Sequence, residues 1–516
     1  MSVSNDLAPV IPAARDADAA FAGWLQRPRL ALALLAIAVL QQCLGHHNGD
    51  NSWLFTVCEK ILDGARPYAD VIETNPPASF MIYMPAALLA RVLGLPVEPV
   101  ASAFVFAGAL ACIFFAGAIL RGAGLLRATE AGFALNVSVF ALVLLPGFSF
   151  AEREHIAAFA ILPALALYAA RAGGAPVKLS HALFGGLLAG FVMAIKPHFA
   201  LAVALPILAM IVVRRSLRPA FGVENFVAAA VVIAYAAAVF AFFPAFFDVL
   251  PSIVDAYVPV MEPWRILLAH PWFLANLLIL IVMAGFGGAR CRDPRVMMLA
   301  AASLGFVATF VLQGKGWVNH GAPGVSLAII AIALVAAPAL REIAERRPGG
   351  EWTALRPMIL FVMLPLALSL PLLFGALAQF MRAEEYPGLR ELVRQHAPPR
   401  PKLIALSGDL DVGHPLTRRV DGVWVGQPHS LWLMLSAQLL IDNKRGDAER
   451  LRAYVDADAL MFAANVRDRR PDLILVTVND RTKLMAAHPA IAGVMANYAR
   501  IAAASEVEVW APVAAR

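Results

Sequence analysis

Apolar runs recur along this chain from residue 30 to residue 380, and charged residues are confined almost entirely to the gaps between them. The runs lie at 30–45, 77–94, 99–120, 131–150, 155–171, 181–195, 198–213, 226–247, 267–286, 296–312, 321–340 and 357–380. A hydrocarbon core of about 30 Å asks for roughly 20 apolar residues per helix, fewer where small polar residues extend the ends. With 60% hydrophobic and 15% charged residues, and a mean hydropathy of +0.71, the chain reads as a polytopic membrane protein. The net charge of +6 does not mark a nucleic-acid binder, because the arginines flank apolar runs and act there as orientation signals.

The gaps are of two alternating kinds. Arg121 and Arg127; Arg171 and Lys178; Arg214, Arg215 and Arg218; Arg290, Arg292 and Arg295; and Arg341, Arg346 and Arg347 form basic loops, which the positive-inside rule places in the cytoplasm. Counting from a cytoplasmic tail at 1–29, this parity holds only if one run before Arg121 does not cross. The run 77–94 opens with Pro76-Pro77 and contains Pro85, so it is expected at the interface. The expected fold class is mainly α: a membrane helical bundle over 30–381 with about eleven crossings, an interfacial helix, and a first periplasmic loop at 46–76. From 382 to 516 charge rises and strand-like runs appear at 402–406 and 473–478, predicting a small α/β domain on the periplasmic face. The run after Arg27 and Arg29 ends in Gln41-Gln42-Cys43 without a cleavage pattern, so a retained span is expected. Cys43, Cys58, Cys112 and Cys291 show neither metal-ligand spacing nor a disulfide framework.

The remaining gaps carry mixed polar clusters, all on the face opposite the basic loops. The first holds His46, His47 and Asp50, followed by Glu59, Lys60, Asp63, Glu73 and Asn75. Asp50 follows the first span, where a partly desolvated carboxylate can act as a general base toward a hydroxyl. Glu59 and Asp63 read as acids that solvate the loop. Next come Glu152-Arg153-Glu154-His155, then Lys196-Pro197-His198, then Gln313 to His320 with Lys315 between. Charges at membrane depth are costly, so cations at the ends of separate helices imply a shared anion or a water-filled cavity. Arg153, Lys196 and Lys315 are the candidates to hold a phosphate. His155, His198, Gln313 and His320 are candidates for substrate contacts, and the histidine spacings make zinc the weaker reading.

Asp50, Asn75-Pro76-Pro77, Arg153-Glu154-His155, Lys196-Pro197-His198 and the Gln313 to His320 segment together resemble the GT-C superfamily of integral-membrane glycosyltransferases. Within it, the resemblance is to the bacterial branch of protein mannosyltransferases and the aminoarabinose transferase of lipid A. It implies transfer of a sugar from a polyprenyl-phosphate donor to a glycan, lipid or protein acceptor at the periplasmic face of the bacterial inner membrane, usually with inversion. It implies Asp50 as the base, and Arg153, Lys196 and Lys315 as holders of the donor phosphate. Better-known members carry an Asp-Glu pair where this chain has Gly49-Asp50-Asn51, so Glu73 and Glu152 stand as further candidates for the base. No cofactor is required, and a divalent metal is allowed.

The alternative class is a transporter or flippase of a lipid-linked anion. Such proteins place ionisable residues at mid-membrane on broken helices, often in repeated halves. Here they gather at one face and no repeat is visible, which favours an enzyme.

Overall fold

The computed structural model describes residues 27–45, 48–344, 360, 363–381 and 386–513. The tail 1–26, His46, His47 and the Arg346-Arg347 pair lie outside the described residues. Among the described residues six helices are long and apolar enough to cross a bilayer: Val97–Gly122, Arg153–Ala172, Pro197–Arg214, Val223–Phe242, Pro294–Gln313 and Val318–Pro338. Shorter apolar helices at Arg29–Leu44, Ala128–Leu144, Leu179–Ile195, Pro271–Phe286 and Leu364–Gly375 fall on the other expected runs. The chain is a multi-pass membrane protein. The run 77–94 breaks into Ala78–Met81 and Met84–Leu93. At about 1.5 Å per residue neither piece reaches across a hydrocarbon core of about 30 Å.

Connectivity separates the two kinds of gap. The helix Arg153–Ala172 starts at the Glu152-Arg153 cluster and carries Arg171 in its last turn. Leu179–Ile195 starts after Lys178 and ends at Lys196, and Ala200–Arg214 runs back to Arg214. Pro294–Gln313 starts beside Arg295 and ends at Gln313. Basic residues therefore mark one end of the bundle and the mixed clusters the other.

Glycines set how closely some helices approach, as small residues commonly do where lipid offers no hydrophobic drive for association. A Cβ at Gly190 would lie 2.8 Å from the Ala228 carbonyl oxygen and 2.6 Å from Val231 Cβ, and one at Gly186 would collide with the Glu224 carbonyl. Leu179–Ile195 is thereby seated on Val223–Phe242, and Lys196 is fixed at its end.

The C-terminal unit holds a five-stranded sheet in the order β2-β1-β3-β5-β4. Its strands are β1 (Lys402–Leu406), β2 (Val423–Trp424), β3 (Leu473–Thr477), β4 (Tyr498–Ala504) and β5 (Val507–Pro512). β1 pairs parallel with β2 and β3, while β5 runs antiparallel to β3 and β4. Helices Trp432–Asp442 and Ala448–Arg469 make the crossover that a parallel β2 to β3 path requires. This unit docks on the segment between the first two expected crossings. Arg418 pairs with Glu59 and Glu98, Ile72 N–H donates to the Gln427 carbonyl at 2.9 Å, and Gln427 Nε2 donates to the Ala69 carbonyl at 2.7 Å.

Gly190→Val should force the two helices apart. We expect it to lower stability by about 1–3 kcal/mol, the usual scale of an overpacked contact, read as a reduced melting temperature in detergent.

Candidate active site

Asp50 lies in the first turn of a second helix, Gly49–Leu62, which occupies part of the stretch expected as loop. Asn48 caps that helix, its Oδ1 accepting from Asn51 N–H at 2.9 Å. The same residues stitch the helix start to the turn before Arg153. Asn48 Nδ2 donates to the Phe148 carbonyl at 3.2 Å and to Glu152, and Asn51 Nδ2 donates to the Phe150 carbonyl at 2.9 Å. Ala151 sits in the left-handed region at φ 65°, a strained setting for a residue with a Cβ. Tyr83 from the expected interfacial run holds it, its hydroxyl donating to the Ala151 carbonyl at 2.6 Å.

Arg153 is 3% exposed and stands between two carboxylates, paired with Asp50 and 3.8 Å from Glu73 Oε1. Its Nε and Nη1 have no hydrogen-bond partner among the described residues. Buried guanidinium donors left open in this way are rare and point to a ligand position. Glu73 is held on its other side, Oε2 accepting from Trp53 Nε1 at 2.6 Å and Oε1 from Asn75 Nδ2 at 2.7 Å. The next residue, Glu154, pairs with Lys196, lies 3.4 Å from His320 Nε2, and accepts from Asn319 Nδ2 at 3.4 Å. Lys196 Nζ donates to Gln313 Oε1 at 3.5 Å, and His198 follows Lys196 by two positions in the same turn. Asp50, Glu73, Glu152, Arg153, Lys196, His198, Gln313 and His320 thus form a polar group of two sets, one around Arg153 and one around Lys196, that meet at the consecutive residues Arg153 and Glu154.

Among the carboxylates of this group, Asp50 is the accessible one, its side chain 28% exposed against 2% for Glu73 and 1% for Glu154. Glu152 is sealed as well. Burial pushes the Glu152 carboxyl well above the usual carboxylate range, and the charges of Asp50 and Glu154 push the same way. The protonated form of Glu152 is thereby favoured over the ionised one.

Two expected site residues have other work. His155 is sandwiched between Phe150 and Phe159, with ring centroids at 5.1 and 5.3 Å. Its Nδ1 accepts from Ala151 N–H at 3.1 Å, so its Nε2 donates to the Leu142 carbonyl at 2.7 Å, at the end of a π-helical turn over Phe140–Leu144. Both ring nitrogens are used, which removes His155 from substrate contact and makes it a brace for Ala151. Lys315 donates to the Tyr257 and Val260 carbonyls at 2.7 and 2.5 Å and lies 4.1 Å over the Tyr257 ring. It ties the 253–262 segment to the 313–317 segment instead of joining the Glu154-Lys196 pair. Burial pulls its ammonium down to about 8. Among the described residues no group of three or more His, Cys, Asp or Glu side chains is arranged to hold a metal ion.

Sequence reasoning missed Trp53, Tyr83 and Asn319 as site-builders, and it counted Glu154 only as part of a cluster. The Asn48-Gly49-Asp50 start, a capping residue followed by an acid, was the available signal for the second helix.

No family model matches the sequence, and no curated protein matches it. Among solved structures, ArnT from Cupriavidus metallidurans in the apo state superposes with a TM-score of 0.53 at 14% identity, covering 96% of this chain and 99% of that chain. The chain has the ArnT fold. ArnT from the same organism bound to undecaprenyl phosphate gives a TM-score of 0.52 at 14% identity, over 94% of this chain and 98% of that one. The ArnT likeness runs through the bundle and the C-terminal unit alike.

The raised Glu152 carboxyl has a measurable signature. A carboxyl raised on folding contributes stability that is fully present below its unfolded value of 4.5 and is lost as pH rises, because the unfolded chain ionises first. Glu152→Gln cannot ionise. The melting temperature of the variant minus that of the wild type should therefore grow more positive between pH 5 and pH 8, as followed by thermal unfolding at each pH.

Proposed function

We propose that this protein transfers a sugar from a polyprenyl-phosphate donor to a hydroxyl-bearing envelope acceptor at the periplasmic face of the bacterial inner membrane. The observation that carries the reading is Arg153, a buried guanidinium with open donors, lying against Asp50, the accessible carboxylate of the same polar group. The likeness to a structure bound to undecaprenyl phosphate supports a carrier of that class. The basic end of the bundle, opposite the site, supports the orientation.

The chemistry follows from the layout. The donor phosphate takes the open donors of Arg153, with Lys196 beside it, and draws Arg153 away from Asp50. Asp50, no longer neutralised, accepts the proton of the acceptor hydroxyl as that oxygen bonds to the anomeric carbon. The bond from the anomeric carbon to the phosphate oxygen breaks in line, its electron pair leaves with the polyprenyl phosphate, and the configuration inverts. Negative charge on the leaving phosphate grows along this path, so Arg153 and Lys196 stabilise the transition state more than the ground state. Glu73 orients Arg153, His198, His320 and Gln313 surround Lys196, and Lys315 braces the 253–262 segment.

Purified protein reconstituted with undecaprenyl-phosphate sugar and a solubilised envelope acceptor fraction tests this. Asp50→Asn should abolish transfer and keep affinity for undecaprenyl phosphate, because the amide keeps the shape and cannot take the proton. Arg153→Ala and Lys196→Ala should weaken both, since a phosphate contact acts in ground and transition states. Full transfer by Asp50→Asn removes Asp50 as the base, and wild-type protein that moves the lipid-linked sugar across the bilayer without transferring it would return the transporter reading.

A further inference from the structure

The C-terminal unit brings a side chain to the site that the proposed chemistry has not used. The segment from Gly426 to Ser430 is held against the first outer segment by three bonds: Lys60 Nζ donates to the Gly426 carbonyl at 2.8 Å, Ile72 N–H to the Gln427 carbonyl, and Gln427 Nε2 to the Ala69 carbonyl. His429 in this segment stands edge-on to Trp53, ring centroids 5.7 Å apart. Trp53 is the donor to Glu73, and Glu73 faces Arg153. A continuous path therefore runs from Arg153 in the bundle, across Glu73 and Trp53, to an imidazole contributed by the last part of the chain.

Close packing fixes the same junction from the other side. A Cβ at Gly49 would lie 2.8 Å from the His414 carbonyl and would collide with the Asp411 and Leu410 side chains. The residue before Asp50 is thus in direct contact with the C-terminal unit. His414 itself is fully buried, 5.3 Å from the Trp53 ring and 4.7 Å from Trp424, and its environment is that of a packed core. His429 differs: it is partly exposed, and its Nδ1 lies 2.8 Å from Ser430 Oγ while Nε2 has no protein partner among the described residues.

We propose that His429 lines the acceptor side of the site and hydrogen-bonds the hydroxyl-bearing acceptor beside Asp50. This rests on the glycosyl-transfer reading above. An in-line displacement puts the incoming hydroxyl on the face of the sugar opposite the departing phosphate. The phosphate side is the membrane bundle, with Arg153 and Lys196, where a polyprenyl chain has access from the bilayer. Trp53, with the segment of the C-terminal unit that carries His429, reaches the site through Glu73. Burial lowers the imidazole, and Arg153 acts in the same direction, against the opposing charges of Glu73, Asp50 and Asp409; His414 packs close enough for the two imidazoles to disfavour each other's protonation. A neutral ring suits contact with an uncharged hydroxyl. Its Nε2 can then donate or accept according to the proton on Nδ1, which the Ser430 hydroxyl governs.

The experiment uses the full-length protein with three variants, His429→Ala, His429→Gln and His414→Gln. The donor is undecaprenyl-phosphate sugar, and the acceptor is a dilution series of the solubilised envelope fraction from a strain lacking this protein. His429→Ala should raise the apparent KM for the acceptor fraction by about tenfold, the loss expected for one hydrogen bond, while affinity for undecaprenyl phosphate is unchanged. His429→Gln should recover part of that loss. His414→Gln should lower the melting temperature without moving the acceptor KM, which separates contact with the acceptor from stability of the junction. Wild-type transfer with an unchanged acceptor KM in both His429 variants overturns the inference alone, as does an equal loss of affinity for undecaprenyl phosphate. A wild-type protein that transfers no sugar overturns the inference and the reading on which it stands.

Discussion

A single buried guanidinium organises the polar end of this protein. Arg153 is sealed from water, flanked by Asp50 and Glu73, and only partly satisfied by them. A charge removed from water is tolerated only when it is paired, so the two carboxylates must be delivered to it from other parts of the chain. That requirement accounts for much of the surrounding construction. Asn48 and Asn51 bind the start of the Asp50 helix to the turn before Arg153, Tyr83 and His155 hold Ala151 in its strained setting, and Trp53 and Asn75 hold Glu73. Each of these contacts is between residues distant in sequence, except those within the 73–75 and 151–155 turns.

The second pair, Glu154 with Lys196, repeats the pattern at lower cost, because His320, Asn319 and Gln313 surround it with neutral partners. The two pairs together leave the site with acids opposite each cation in the absence of substrate. In the proposed reaction an entering phosphate would not meet bare positive charge; it would compete with carboxylates for donors already in position. Such competition would tie phosphate binding to the freeing of Asp50, and so link the proposed carrier to the proposed base. The ring of Tyr257, with Lys315 over it and Trp432 5.7 Å away, joins this end of the bundle to the C-terminal unit, so the unit belongs to the site's frame and is not an appendage.

The sequence by itself determined that the chain is a helical membrane bundle with two unlike ends. Apolar runs must be helical where lipid cannot hydrogen-bond the backbone, and each run found a helix. The alternation of basic and mixed gaps sorted the chain ends of those helices, because the energetic cost of moving arginines across a bilayer is written in composition. The prolines at 76, 77 and 85 foretold that 77–94 would break. Asp50, Glu73, Glu152, Arg153, Lys196, His198, Gln313 and His320 were legible as candidates for the same reason: polar groups at helix mouths are costly without a common purpose.

Only the tertiary structure decided which of those groups face one another. His155 and Lys315 have the residue types of ligand contacts, yet their ring nitrogens and ammonium are consumed by backbone carbonyl or amide groups that no sequence pattern marks. Glu152 and Glu154, two positions apart and both buried, divide into an acid whose protonated form is favoured and the partner of Lys196 because their neighbouring charges differ. His429 lies 379 positions after Asp50 in the chain, and its approach to Trp53 depends on the fit of Gly49 against the C-terminal unit. Composition records what each residue costs in lipid or water; the pairing of charges, and hence the chemistry, depends on distances that only the folded chain sets.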